Sequence, residues 1–281
     1  MIEMMKLAQR VGDPPHGPTL ARGFGDVAPP SQSPAEGWCT ALTLLALHLP
    51  LARRAIAAGR PIQHAGDPFS RLHLVNGGVC KSVRFGGDGR QQIVALHFKG
   101  DWIGFDGIAD ERCATDASSM NDSEIWSMNY AALRKVVAQV PLLARLIAAA
   151  MSEQLGRNRT WCHALGTLTA VQRVADFLCG WRNTRQPRAL QVDRIVLCMT
   201  RAEIGSYLGL TIETVSRAFS QLEHSGLIRI LPQGRRHIGI PDAGALGRFA
   251  GSAADQDRPE RSRQHSSAAR ADCPVLRALP H

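Results

Sequence analysis

Residues 200–227 read TRAEIGSYLGLTIETVSRAFSQLEHSGL, and the organisation of the C-terminal half follows from them. Thr200 followed three residues later by Glu203 is a capping box, so a helix starts there. Ile204, Tyr207 and Leu208 form its apolar face, and Gly209 ends it as a residue free to take positive φ at a tight corner. Leu210 packs inward at the turn. Thr211 is placed to cap a second helix, with Glu213 in the first turn, where the helix dipole favours an acid. Val215, Phe219 and Leu222 share the buried face of that helix, Glu213, Thr214, Ser216, Arg217 and Ser220 lie toward the other side, and Gly226 closes it.

Two helices joined by a short turn, the second exposing small polar groups and one Arg near its start, make a DNA-reading device. Arg217 has the planar fork that meets guanine O6 and N7 together, which a Lys lacks. Glu213 can accept from cytosine N4, and Ser216 is short enough to approach a base edge or a thymine methyl. Downstream, residues 229–240 read RILPQGRRHIGI: two short strands around a Pro-Gln-Gly turn, followed by Arg235, Arg236 and His237. This is a wing suited to phosphate. The competing reading is a helical subdomain with a plain hairpin. Thr200, Arg201, Thr211, Thr214, Ser220, Arg235 and Arg236 are expected to support the DNA contact around the three base readers.

Upstream, Val171, Val174, Phe177, Leu178 and Trp181 mark a helix over 169–181, a polar loop follows to 192, and Ile195-Val196-Leu197 is a short strand or a lead-in to the next helix. From 131 onward the period is also helical: Leu143, Leu146, Ile147, Ala150, Met151, Leu155, Asn158, Cys162 and Leu165 step by threes and fours. Such a stripe is covered either by the chain's own sheet or by a second copy. Helix-turn-helix proteins bind two half-sites, so a homodimer is expected, with Leu143, Leu146, Ile147, Ala150, Met151, Leu155 and Asn158 at the seam. Between 59 and 128 the texture is different. Turn signals recur at Gly59, Gly66, Asn76-Gly77-Gly78, Gly86–Gly89 and Gly100-Asp101, separated by short runs such as Leu72–Val75, Val79–Phe85 and Gln92–Phe98. These are strands of an antiparallel roll or sandwich.

Within 281 residues this gives a flexible leader (1–37), a β-roll (38–130), a dimerisation helix (131–166), a winged helix-turn-helix (167–249) and a disordered tail (250–281). The class is α+β. Aromatics make up 5% against 44% hydrophobics, so aliphatic side chains must fill the cores. A net charge of +9 favours an anionic partner. The longest apolar run, 41–51, is too short to span a bilayer and too far from Met1 for a secretory signal, so a cytoplasmic protein without a membrane partner is expected. Cys39, Cys80, Cys113, Cys162, Cys179, Cys198 and Cys273 contain no C-x-x-C, which argues against a disulfide framework or a zinc knuckle. No phosphate-binding G-x-x-x-x-G-K-[ST], Ser-His-Asp set or cupin-type metal motif is evident, so the chain reads as no enzyme.

TRAEIGSYLGLTIETVSR resembles the DNA-binding signature of the Crp/Fnr superfamily, especially its Fnr/FixK branch. Pro61-Ile62-Gln63, Gly66, Leu74-Val75, Gly78, Lys81-Ser82, Phe98, Gly100-Asp101, Ile103-Gly104-Phe105-Asp106 and Ile108 resemble that branch's sensory roll, so the likeness spans about 39 to 249. It implies an N-terminal double-stranded β-helix (a cupin-like roll), a long dimerisation helix and a C-terminal winged helix. It also implies base reading by Glu213, Ser216 and Arg217 on a palindrome resembling TTGAT-N4-ATCAA, with RNA polymerase as a partner. Family habit points to activation of anaerobic, respiratory or nitrogen genes.

The family's cofactor sites are expected to be missing. Counted back without gaps from Pro61, one cluster-ligand position of the Fnr type is Cys39, but the others fall on Pro30, Ser33 and near Trp126. One thiol cannot anchor an iron–sulfur cluster. In the loop that would cradle a cyclic phosphate, Arg112 is followed by Cys113 and crowded by Asp106, Asp110 and Glu111, which repel phosphate. For haem there are His48, His64, His73 and His97, in no recognisable ligand pattern. The reading is a FixK-like regulator without cofactor; a cyclic-nucleotide- or haem-gated member of the same superfamily and a cupin-like enzyme are the alternatives. Cys80, Cys113 and Cys198 are candidate redox thiols, Cys198 foremost because it precedes the reading unit, against the simpler reading of inert packing thiols.

Overall fold

The computed structural model describes residues 42–87, 89–184 and 194–251. The expected leader (1–37), the tail beyond 251 and most of the loop before 192 lie outside the described residues.

Helix α1 (42–48) precedes eight strands: β1 (Ala52–Ile56), β2 (Pro61–Gln63), β3 (Arg71–Gly77), β4 (Cys80–Phe85), β5 (Gln91–His97), β6 (Trp102–Ile103), β7 (Asp116–Ser119) and β8 (Ser123–Asn129). They form two antiparallel four-stranded sheets, ordered β1-β8-β3-β6 and β2-β7-β4-β5, as the turn spacing predicts. Strand β1 lies ahead of the first turn signal and its burial shows no alternation, so the sequence does not announce it. Ile56, Ile62, Val75, Cys80, Ile103, Ala117 and Ile125 pack between the sheets. On β3 the alternation of a strand sends Leu72 and Leu74 to the opposite face, where they meet Leu42, Leu45, Trp126, Met128, Leu133 and Leu143.

Two polar pairs are buried with the roll. His73 Nδ1 lies 2.7 Å from Ser127 Oγ, and His97 Nε2 lies 2.8 Å from Ser82 Oγ. Burial, reinforced by the positive charges of Arg54 and Arg71, pulls His73 down to about 4. Burial also lowers His97.

The helix expected over 131–166 is two helices, α2 (Tyr130–Gln139) and α3 (Pro141–Thr167). Proline disfavours the helical region for the residue before it, and Val140 takes φ −122°, ψ 87°, leaving Pro141 as the first residue of α3. The expected seam needs correction as well. Leu143 is 0% exposed and packs in the chain's own core, with Ile147 and Ala150 half-buried against it. A side chain already covered by its own roll cannot meet a second copy. Leu146 is half-buried, whereas Met151 and Leu155 are 39% and 51% exposed and Asn158 is exposed.

The C-terminal half contains α4 (Ala170–Thr184), β9 (Arg194–Val196), α5 (Arg201–Leu208), α6 (Ile212–His224), β10 (Arg229–Ile230), β11 (His237–Gly239) and α7 (Ala243–Ala250). The expected two-stranded wing has a third strand, since β11 pairs with both β10 and β9. Ala250, placed at the start of the tail by sequence, is fully buried at the end of α7.

Burial favours the neutral form of both histidines in the folded roll, while the unfolded chain takes up protons below about pH 6.5. Stability is therefore complete above that pH and is lost as pH falls toward 4. Denaturant unfolding at pH 7 and pH 5 should show a loss on the order of 2 kcal/mol from His73 alone. His73→Gln should flatten that dependence, and an equally steep profile in the variant would show that the ring is not the group titrating.

Candidate nucleic-acid interface

The helix-turn-helix is built as its residues dictate. The Thr200 hydroxyl accepts from the Glu203 N–H at 3.2 Å, and Glu203 Oε2 accepts from the Thr200 N–H at 2.9 Å, closing the capping box of α5. Gly209 takes φ 63°, ψ 40° at the corner. A second glycine is needed there, and sequence reading missed it: a Cβ on Gly205 would stand 2.6 Å from the Leu210 carbonyl oxygen. Its only signal is its place one turn before the corner, where the two helices close on each other. Thr211 accepts from the Thr214 N–H at 3.2 Å and caps α6.

On α6, Val215, Ala218, Phe219 and Leu222 are buried, while Glu213, Ser216, Arg217 and Ser220 are exposed. Among the described residues no hydrogen bond or ion pair holds the side chains of Glu213 and Arg217. Ser216 Oγ donates to the Ile212 carbonyl at 2.9 Å, so its lone pairs and methylene face outward. Thr211 and Thr214 are 3.0 Å apart at their hydroxyls and engage each other. Thr200 is exposed but spends its hydroxyl on the capping box. The wing exposes Arg235 and Arg236. Arg201 is turned inward instead: it is half-buried, with its guanidinium stacked on Phe219 and bonded to the Arg235 backbone carbonyl at 3.2 Å.

The reading unit is anchored to the roll through α5. Glu203 turns its other oxygen, Oε1, to Lys81 Nζ on β4 at 2.7 Å. Burial raises the Glu203 pKa, but the bonds from Lys81 and Thr200 outweigh it and the carboxyl sits below its ordinary range. One turn on, Ser206 Oγ accepts from the Ile93 N–H at 3.0 Å and donates to the Gln91 carbonyl at 3.2 Å, both on β5. Tyr207 and Leu208 close the group, their carbonyls accepting from Trp161 Nε1 on α3 at 3.2 Å and from Arg173 on α4 at 3.0 Å. Val79, Val83 and Ile93 of the roll share one core with Ile204, Val215 and Phe219.

In the roll, Arg112 and Thr115 have partners within the chain. Arg112 donates to the Gly66 carbonyl at 2.8 Å, and Thr115 donates to the Asp106 carboxylate at 2.9 Å. The four histidines do not converge: His73 and His97 pair with serines, and His48 and His64 are at the surface. Of the candidate thiols, burial pushes Cys80 up to about 11, and burial with Asp106 and Asp67 raises Cys113, the opposite of what a reactive thiolate needs. Cys198 is half-buried.

Comparison with known proteins agrees with this geometry. Residues 172–249 match the model of the Crp-like helix-turn-helix domain, and residues 53–140 that of the cyclic nucleotide-binding domain. A probable transcriptional activator of Rhizobium leguminosarum bv. viciae is 35% identical over 70% of this chain and 80% of its own length. Electron transport regulator A of Shewanella oneidensis is 32% identical over 72% of this chain and 79% of its own. Among solved structures, FixK2 from Bradyrhizobium japonicum superposes with a TM-score of 0.63 at 29% identity, covering 72% of this chain and 98% of that one.

Because Glu203 serves both the cap of α5 and Lys81, Glu203→Ala should destabilise the fold by about 2 kcal/mol, and Lys81→Ala by about 1 kcal/mol. Equal losses in denaturant titrations would mean that the capping half of the arrangement contributes nothing.

Proposed function

Since the chain belongs to the Crp/Fnr family of transcription regulators, we propose that it binds DNA as a homodimer, laying Glu213, Ser216 and Arg217 of each α6 against the base edges of a palindrome resembling TTGAT-N4-ATCAA. The chain is a DNA-binding regulator and not an enzyme, as its relatives are. One observation carries the finer reading: α6 buries Val215, Phe219 and Leu222 and leaves Glu213 and Arg217 exposed without partners among the described residues. Arg217 takes guanine O6 and N7, Glu213 accepts from cytosine N4, and Ser216 meets a neighbouring base with its methylene and lone pairs. Arg235 and Arg236 contact phosphate from the wing and Ser220 lies beside the groove, while Thr200, Thr211 and Thr214 hold the helix starts.

The second copy docks on the exposed part of α3, through Met151, Leu155 and Asn158, with Leu146 at its margin. The name of the Shewanella relative, an electron transport regulator, favours control of respiratory genes, and that of the Rhizobium activator favours activation; on this reading RNA polymerase is the chain's partner at such promoters. The occupied Arg112 and Thr115 favour a regulator that works without cyclic nucleotide.

Arg217→Ala should cost on the order of 1–3 kcal/mol of affinity for the palindrome and relax the preference for guanine. Undiminished binding by this variant in a fluorescence-anisotropy titration would sink the base-reading assignment. Arg235→Ala and Arg236→Ala should weaken every DNA sequence alike and flatten the salt dependence by roughly one unit per lost contact. Leu155→Glu places a charge on the proposed seam. Light scattering should then report the mass of one chain instead of two, and a persistent dimer would place the seam elsewhere.

A further inference from the structure

Arg201 sits at the first position of α5, where an arginine in a DNA-binding unit would ordinarily reach for phosphate. Its geometry here is different. The guanidinium carbon lies 3.3 Å from the centroid of the Phe219 ring, on the inner face of α6. Nη2 donates to the backbone carbonyl of Arg235 in the wing at 3.2 Å. Phe219 is 2% exposed, so the ring that receives the cation is a core side chain and cannot follow Arg201 outward. Backbone pairing ties the base of the wing, β11 to β9 at three positions, and the Ile230 N–H donates to Glu223 at 3.0 Å, but toward the turn the ties thin out. Strand β10 pairs at two positions only, and the Leu197 N–H donates to the Arg236 carbonyl at 2.9 Å. Arg201 therefore joins three parts: the first helix, the recognition helix and the loop that carries both exposed arginines. A planar cation suits this, because one face stacks on the ring while an edge N–H is left to donate. Burial and the nearby Arg235 lower its pKa to about 10, which still leaves it charged at neutral pH.

We propose that Arg201 is a positioning residue that latches the wing to the recognition helix, setting where Arg235 and Arg236 stand, and does not itself contact phosphate. This rests on the wing–phosphate contact proposed above, and the two are separable by experiment. In the free protein, hydrogen exchange should distinguish the latch without any DNA. Arg201→Met keeps length and apolar contact but removes the stacking cation and the donor. The Leu197 and Leu231 amides, which donate to Arg236 and His237, should then exchange about tenfold faster, while the Val215 amide of α6 keeps its protection. Equal acceleration at Val215 would mean a general packing role and overturn the proposal.

On DNA, the loss from Arg201→Met should be strongly non-additive with that from Arg235→Ala combined with Arg236→Ala, and Arg201→Lys should not restore affinity. Additive losses, a salt slope reduced by a further unit, or rescue by Arg201→Lys would each show a direct phosphate contact and overturn the latch. If the two wing variants leave the salt slope unchanged while the exchange result holds, the wing contact fails and the latch stands. Should Arg201→Met not fold, Arg201→Gln, which keeps a donor without the cation, enters the same exchange measurement. The same selective loss of wing protection is then expected, and full protection would overturn the role of the charge.

Discussion

A strand at the edge of a sheet offers a row of backbone groups that must find partners, and β5 is such an edge in the order β2-β7-β4-β5. Its partner here is a helix of the reading unit. Ser206 accepts the Ile93 N–H and donates to the Gln91 carbonyl, and Glu203 receives Lys81 from the next strand. The same eight-residue helix, α5, receives bonds from α3 and α4 through the carbonyls of Tyr207 and Leu208. Where α5 stands, α6 stands too, because Gly205 and Gly209 close the corner without room for adjustment. The face with Glu213 and Arg217 is thus aimed by the roll as much as by its own helix.

Much of the reading unit was legible because its signals are local. Caps, a left-handed corner and a buried stripe each involve residues within four positions of one another, and Thr200–Glu203, Gly209 and Val215–Phe219–Leu222 have the expected roles. The strands of the roll were legible for the same reason, their turns marked by glycines at positive φ. What was not legible depends on long-range contact. The periodicity of residues 143–165 has one apolar pattern but two faces, and only the packing of Leu143 into the roll shows which part of α3 is already covered. The type and position of Arg201 point to the DNA-facing residues and say nothing of a ring eighteen residues on. The break at Val140 was available from Pro141, but the apolar rhythm on either side masked it.

The sensory half is built to hold polar groups without exposing them. His73 and His97 each spend a ring nitrogen on a serine, and Asp101, itself buried, takes the Phe98 N–H at 2.9 Å and faces Arg157 of α3 at 3.1 Å. Paired in this way, these groups are satisfied inside the protein and hold their neighbours in place. The roll offers α3 and α5 charged anchor points, Asp101 for Arg157 and Lys81 for Glu203.

The attachment of α5 to the β4–β5 hairpin also divides that hairpin into two regimes of sequence change. Toward its tip Gly86, Gly87, Gly89 and Arg90 are exposed, and added residues there leave the ladder untouched. Within the strands, side chains alternate from face to face, so inserting one residue just ahead of Cys80 would carry the Lys81 ammonium into the roll and bring Cys80 out against Glu203. A change of length too small to unfold a sheet would thus strip the helix-turn-helix of its mooring.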